Sequence, residues 1–170
     1  MHGIEIVAFV GSVGHVTMEP RLEYTPDVDP QTWIQEWKRW WATLSQVKRA
    51  QVDSNDVRCP DETTADRIRQ RILEAKDQQD SIGGNVVCVI RNLPSGLGEP
   101  CFDKFEAKLA HAMLSIPATK GFEIGSGFEG TKIPGHLHND AFVKRADSSL
   151  GTSTNFSGGI QVRYLEPFNQ

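Results

Sequence analysis

Cysteine is scarce in this 170-residue chain. Cys59, Cys88 and Cys101 are odd in number and widely spaced, with no Cys-x-x-Cys pair. That argues against a zinc site or a disulfide framework and makes reduced thiols, and so a cytosolic location, the expectation. No apolar run approaches the roughly 20 residues of a membrane span. The first ten residues lack the basic start and the small-residue cleavage site of a signal peptide, and read better as a strand. Basic charge is not in excess: 18 Lys and Arg stand against 22 Asp and Glu, for a net charge of −4. With no basic stripe, nucleic acid is not an expected partner. No Gly-x-Ser-x-Gly elbow presents a nucleophile. The hydrophobic share, 38%, is low for a self-sufficient domain, where about 45–50% is usual on a count that includes glycine. The chain is therefore expected to fold as one domain or part of a larger one, with some reliance on a partner.

The residues that are present alternate between strand and helix patterns. Gly3–Val10 is rich in β-branched residues, carries only Glu5 as a charge and suits a buried strand. Gly11 and Gly14 mark a turn, after which Val13–Met18 returns as a short strand. Pro20, Pro26 and Pro30 with four acids make residues 19–30 a loop. Trp33, Trp37, Trp40, Leu44 and Val47 recur every three or four residues and define a helix. All four tryptophans lie between Trp33 and Trp41, which gives a large packing face toward a core or another subunit. A second helix spans about Asp61–Gln78, with Ala65, Ile68, Ile72 and Ala75 on one face and acids at its start. Ser81–Gly84 breaks it, and Asn85–Arg91 reads as a buried strand. Phe102, Phe105, Leu109, Ala112, Met113 and Ile116 define a third helix that stops before Pro117. Phe122 and Ile124 suggest a short strand, and the chain is glycine-rich beyond Gly125. The class is mixed α and β.

Several short motifs suggest chemistry, each with a plainer reading. Gly125-Ser126-Gly127-Phe128-Glu129-Gly130 fits Gly-x-Gly-x-x-Gly, but that motif needs a helix opening at its glycines, and Pro134-Gly135 follows too soon. No Val-Ala-Ile-Lys strand supports a kinase loop. His136-x-His138-x-Asp140 offers three metal-ligand types on a loop, although surface histidines explain the pattern as well and no further ligand cluster accompanies it. No metal is therefore assigned. His111 sits on the third helix. Glu99 and Asp103 form a carboxylate pair that helix-start acids explain equally.

Longer runs are more specific. Asp80–Gly84, Gly96–Lys104, Ser115–Phe128, His138-Asn139-Asp140 and Thr154–Gln161 follow one another in the order found in the middle of chorismate synthases. Gly3–Val10 and Val57-Arg58-Cys59-Pro60 fit the same family, and its fungal type in particular. The resemblance runs from Gly3 to Gln161. It implies an α+β fold, as part of a β-α-β sandwich. It also implies a phosphate-eliminating lyase of aromatic amino-acid biosynthesis. That enzyme converts enolpyruvylshikimate phosphate to chorismate with reduced FMN, which fungal members reduce with NADPH, and the family is homotetrameric.

Carried over residue by residue, the resemblance places flavin contacts at Pro117 and Ala118. The run Thr154–Gly159 leads toward a further flavin-contacting glycine, where Val162 stands instead. No catalytic residue is assigned, because the family's histidines, its aspartate and its phosphate-site arginines and serines have no counterpart between Gly3 and Gln161. Residues 1–161 are thus expected to be the central part of a chorismate synthase domain, inactive by itself. Residues 162–170 are expected to be a tail outside the family pattern, translated from an intron. The alternatives are a non-catalytic piece that docks on full-length subunits and an unrelated nucleotide-binding domain built on Gly125–Gly130.

Overall fold

A computed structural model describes residues 3–18, 27–94, 96–144, 148 and 150–157. The chain divides into two compact units: Met1–Thr25 with Thr32–Asn92, and Pro26–Gln31 with Leu93–Gln170. The class is α+β, as expected.

The first unit is a three-stranded antiparallel sheet of order β2-β1-β3. Its strands are β1 (Glu5–Val13), β2 (Val16–Thr17) and β3 (Gly84–Arg91). Its helices are α1 (Pro30–Leu44, whose first two residues group with the second unit), α2 (Arg49–Val52) and α3 (Glu62–Asp77). Strand β1 continues through Gly11, where a turn was expected. The register with β3 slips between Val10 and Ser12, so Gly11 sits at a bulge. A side chain there would collide with Asn85 and Val87 across the ladder, at 2.6 and 2.7 Å from its Cβ, and only hydrogen fits. The turn falls at Gly14 alone, where φ is +55°.

Neither long strand is buried on both faces, contrary to the sequence reading. Val7 and Phe9 of β1 are buried with Leu44, Val47 and Val52, and half-buried Trp40, Trp41, Val87 and Val89 pack against them. Val13 and Val16 are buried with Cys59, Ala65 and Ile68. The opposite face of the sheet carries Ile6, 61% exposed, and Val86, 69% exposed. Antiparallel pairing explains the error: period-2 alternation puts every second residue of an all-apolar run on the far side.

The helices follow their sequence signals closely. Pro30 opens α1 instead of closing the loop before it, since its fixed φ and missing N–H suit a first helical position. The tryptophan stripe is core packing in part: Trp33 is buried beside Ile34, and Trp37 tilts against Trp33 with ring centroids 5.5 Å apart. The carbonyls at and just after the end of α1 are met by Arg91, which donates to Leu44 at 3.4 Å, through Nε to Ser45 at 2.7 Å, and to Val47, and pairs with the Glu5 carboxylate. Asp61 caps α3 by accepting the Thr64 N–H at 2.7 Å. At the other end Gln79, with φ +55°, donates to Lys76, and Asp80 donates to Ala75. That is a Schellman ending with glutamine in the left-handed position where glycine is usual.

The second unit holds α4 (Phe105–Leu114), a 3-10 turn at Gly127–Lys132, α5 (Gly135–His138) and a hairpin of β4 (Phe142–Lys144) with β5 (Leu150–Thr152). Helix α4 is shorter than its apolar spacing suggests. Phe102, at φ +68° and 91% exposed, precedes it, and none of its residues is buried. Phe122 and Ile124 lie in irregular chain outside the described strands. No helix among the described residues is long and apolar enough to cross a membrane.

Candidate functional site

The site builds up from two short stretches of the second unit. After α4, the Thr119 N–H donates to the Ile116 carbonyl at 3.2 Å and closes a turn with Pro117 and Ala118 in its middle. Ala118 has φ +68°. Proline at the second position and positive φ at the third are the signature of a type II turn. Alanine there is strained, since its Cβ crowds the backbone in the left-handed region. The closing bond uses Ile116 and Thr119, so the central peptide, the Pro117 carbonyl and the Ala118 N–H, stands outside it. Both residues are exposed. Proline has no N–H, so the donor this turn can offer a ligand is that of Ala118.

The second stretch is Thr154–Ser157, gathered around Asp140. The Asp140 carboxylate accepts the Thr154 hydroxyl at 2.5 Å, the Phe156 N–H at 2.9 Å and the Ser157 N–H at 3.1 Å. Among the described residues no ion pair involves Asp140, so three neutral donors from one loop surround its charge. Phe156 is buried and is held from its other side too. Its carbonyl accepts both the Ser126 N–H, at 2.9 Å, and the Ser126 hydroxyl, at 3.1 Å. His138 Nε2 lies 2.7 Å from the same hydroxyl, and its ring stacks on Phe156.

The direction of that contact depends on the His138 tautomer. A serine hydroxyl has one proton; where it goes to the Phe156 carbonyl, His138 donates through Nε2–H. With either tautomer the pair ties the Ser126 turn to His138. It also explains the third glycine of the run: a Cβ on Gly130 would stand 2.4 Å from Ser126 Oγ and 2.9 Å from His138 Nε2.

The other sequence candidates separate. The 3-10 turn does begin at Gly127, but it is six residues long, and the Phe128 N–H in its first turn donates to Glu123 at 3.3 Å. A carboxylate of the chain itself occupies the place a phosphate would need. As expected from Pro134, the turn stops at Lys132, with Ile133 extended before the proline, and Pro134 then leads into α5. His136 is exposed, while His138 and Asp140 turn to Ser126 and to Thr154–Ser157, so the His-x-His-x-Asp run does not converge. No group of three or more metal-ligand residues occurs among the described residues. Exposed His111 lends its backbone carbonyl to the Ser115 hydroxyl, and Asp103 pairs with Lys108 while Glu99 lies in an exposed turn. Gly158, Gly159 and Val162, with the rest of the tail, lie outside the described residues. The Ser126–His138 pair was missed because a spacing pattern does not show which way a ring points; the Ser/Thr-rich loop at 152–157 was the only sequence hint of donors for Asp140.

Comparisons with known proteins converge on one family. The chorismate synthase family model matches residues 1–162. The chorismate synthase of Schizosaccharomyces pombe is 54% identical over 94% of this chain and 42% of its own length. The chorismate synthase of Saccharomyces cerevisiae is 49% identical over 93% of this chain and 39% of its own length. That of Synechocystis is 49% identical over 94% of the chain and 38% of its own length, so the likeness is shared by fungi and cyanobacteria. A crystal structure of a chorismate synthase superposes with a TM-score of 0.72 at 27% identity, over 95% of this chain and 45% of that one. The chain spans about two-fifths of the length of the curated relatives it matches, and it belongs to the chorismate synthase family.

Proposed function

We propose that this chain supplies the central region of an enzyme that makes chorismate from enolpyruvylshikimate phosphate with loss of phosphate. Residues 1–161 are one continuous stretch of that domain, and 162–170 are a tail outside its pattern. The supporting observation is the match over residues 1–162. The fit to a flavin rests on the turn after α4, whose central peptide is free to meet a polar ring edge. Pro117 and Ala118 would hold one edge of reduced FMN, and Asp140 would hold the Thr154–Ser157 loop beside it. Reduced FMN, when bound, would supply electron density as phosphate leaves, with NADPH as its reductant as in fungal members. The chain's own residues bind and orient it. The location is the cytosol, and the assembly is a homo-oligomer.

No catalytic acid or base of the family has a counterpart between Gly3 and Gln161, and removing such groups commonly costs powers of ten in rate. The isolated chain is expected to form no chorismate from substrate, FMN and NADPH without oxygen. A chimera tests the assignment. Residues 3–161 replace the matching stretch of the Schizosaccharomyces pombe enzyme, and chorismate formation is measured. An active chimera is the expected result; a folded chimera that binds substrate and flavin yet makes no chorismate would count against the reading. The bare sheet face and the uncovered α4 favour a second reading, a piece that docks on full-length subunits. Co-purification of the chain with the intact enzyme, without added turnover, would support it.

A further inference from the structure

We infer that Asp140 is the positioning residue of the flavin loop. It holds Thr154–Ser157 in place and, through Phe156, fixes the Ser126 turn as well. The inference rests on the flavin reading above and deepens it.

A carboxylate charge is costly to cover unless donors replace the lost water. Here one loop provides three donors to both oxygens, from Thr154, Phe156 and Ser157. The loop follows β5 and belongs to no helix or strand; at its start the Ser153 N–H donates to the Ala141 carbonyl at 2.8 Å and the Thr152 hydroxyl to the Thr154 carbonyl at 2.7 Å. The Phe156 peptide is then trapped between two residues distant in sequence, its N–H on Asp140 and its carbonyl on Ser126. In the family pattern the flavin-contacting glycine follows this loop in sequence, at the position where Val162 stands here. Under the flavin reading, a displaced Phe156 displaces the loop that the family places at the cofactor. His138, two residues before Asp140, braces Ser126 from the other side. The His136-x-His138-x-Asp140 run, to which no metal was assigned, thus contains a bracket: His138 holds one turn and Asp140 the other.

Asparagine is the informative substitution. It has the same shape, but one oxygen becomes an NH2 donor facing a donor, so one loop bond turns into a repulsion. Amide hydrogen exchange of the whole chain should show Phe156 and Ser157 protected. Asp140→Asn and Asp140→Ala should speed their exchange about tenfold or more, the equivalent of roughly one lost hydrogen bond. Protection along β1 and β3 should be unchanged. Thr154→Val should act in the same direction, and Thr154→Ser, which keeps the hydroxyl, should restore protection.

Flavin fluorescence quenching, titrated with FMN on the Schizosaccharomyces pombe chimera carrying the same substitutions, reads the functional arm. Affinity should fall about tenfold in Asp140→Ala and recover in Thr154→Ser relative to Thr154→Val. Unchanged exchange at Phe156 and Ser157 would overturn the inference, as would lost protection with unchanged FMN affinity. A chimera without these substitutions that leaves FMN fluorescence untouched would overturn the flavin reading and the flavin half of this inference together. The exchange data would then separate a loop bracket from no bracket.

Discussion

Ala118 and Gly130 show how single residues set this site. At φ +68° an alanine methyl crowds its own backbone, whereas glycine reaches that region freely. Ala118→Gly should therefore raise the stability of the second unit by up to about 1 kcal/mol, measured by denaturant unfolding. A fall in stability would show that the methyl makes a contact worth more than the strain. Gly130→Ala should act oppositely. Its Cβ would displace the Ser126 hydroxyl or the His138 ring, both within 3 Å of the added carbon. Loss of the pair and local overpacking should cost about 1–3 kcal/mol, with a changed His138 ring signal in NMR. An unchanged ring signal would mean that the hydrogen bond survives the substitution.

Helix α3 carries its own start and stop. Asp61→Ala removes the cap on Thr64 and should cost about 1 kcal/mol. Gln79→Gly relieves the left-handed ending and should gain up to about the same. Thermal melts of the two variants should shift in opposite directions. The acid side of the same element is set by Arg69, which bridges Asp56 and Asp66 at 2.6 Å each. Its hydrogen bond to Asp56 holds that carboxyl below its ordinary value of 3.8, although the group is exposed. A depressed carboxylate stabilises the fold above its unfolded pKa, and that contribution is lost as pH falls through the folded value. Arg69→Gln should therefore be less stable than the wild type near neutral pH, with the gap closing below about pH 4. A gap of constant size down to about pH 2, well under the ordinary carboxylate range, would exclude this pair as its source.

At the scale of the whole molecule, what is uncovered matters most. Among the described strands β3 is an edge of its sheet, and Ile6 and Val86 stand on the sheet's open face. An apolar edge with few charges invites pairing with further chains. The purified chain should self-associate, and Val86→Lys should reduce that association without lowering the melting temperature much. Light scattering against concentration is the measurement; a wild-type chain that stays monomeric throughout would remove the argument.

The sequence by itself determined the family, the α+β class, the helices α1 and α3 with the acidic start of α3, and the two main strands. Each rests on neighbours a few residues apart, such as Asp61 with Thr64 or the apolar stripe of α3, so a linear reading suffices. It named Pro117 and Ala118 by resemblance, and Pro117 itself hinted at a turn. The tertiary structure alone decided which face of β1 and β3 is buried, because an all-apolar run has no polar residue to mark its outside. It also decided the roles of His138 and Asp140. Their partners, Ser126 and Thr154–Ser157, lie 12 or more residues away, and side-chain direction across such a distance is set by folding rather than by spacing.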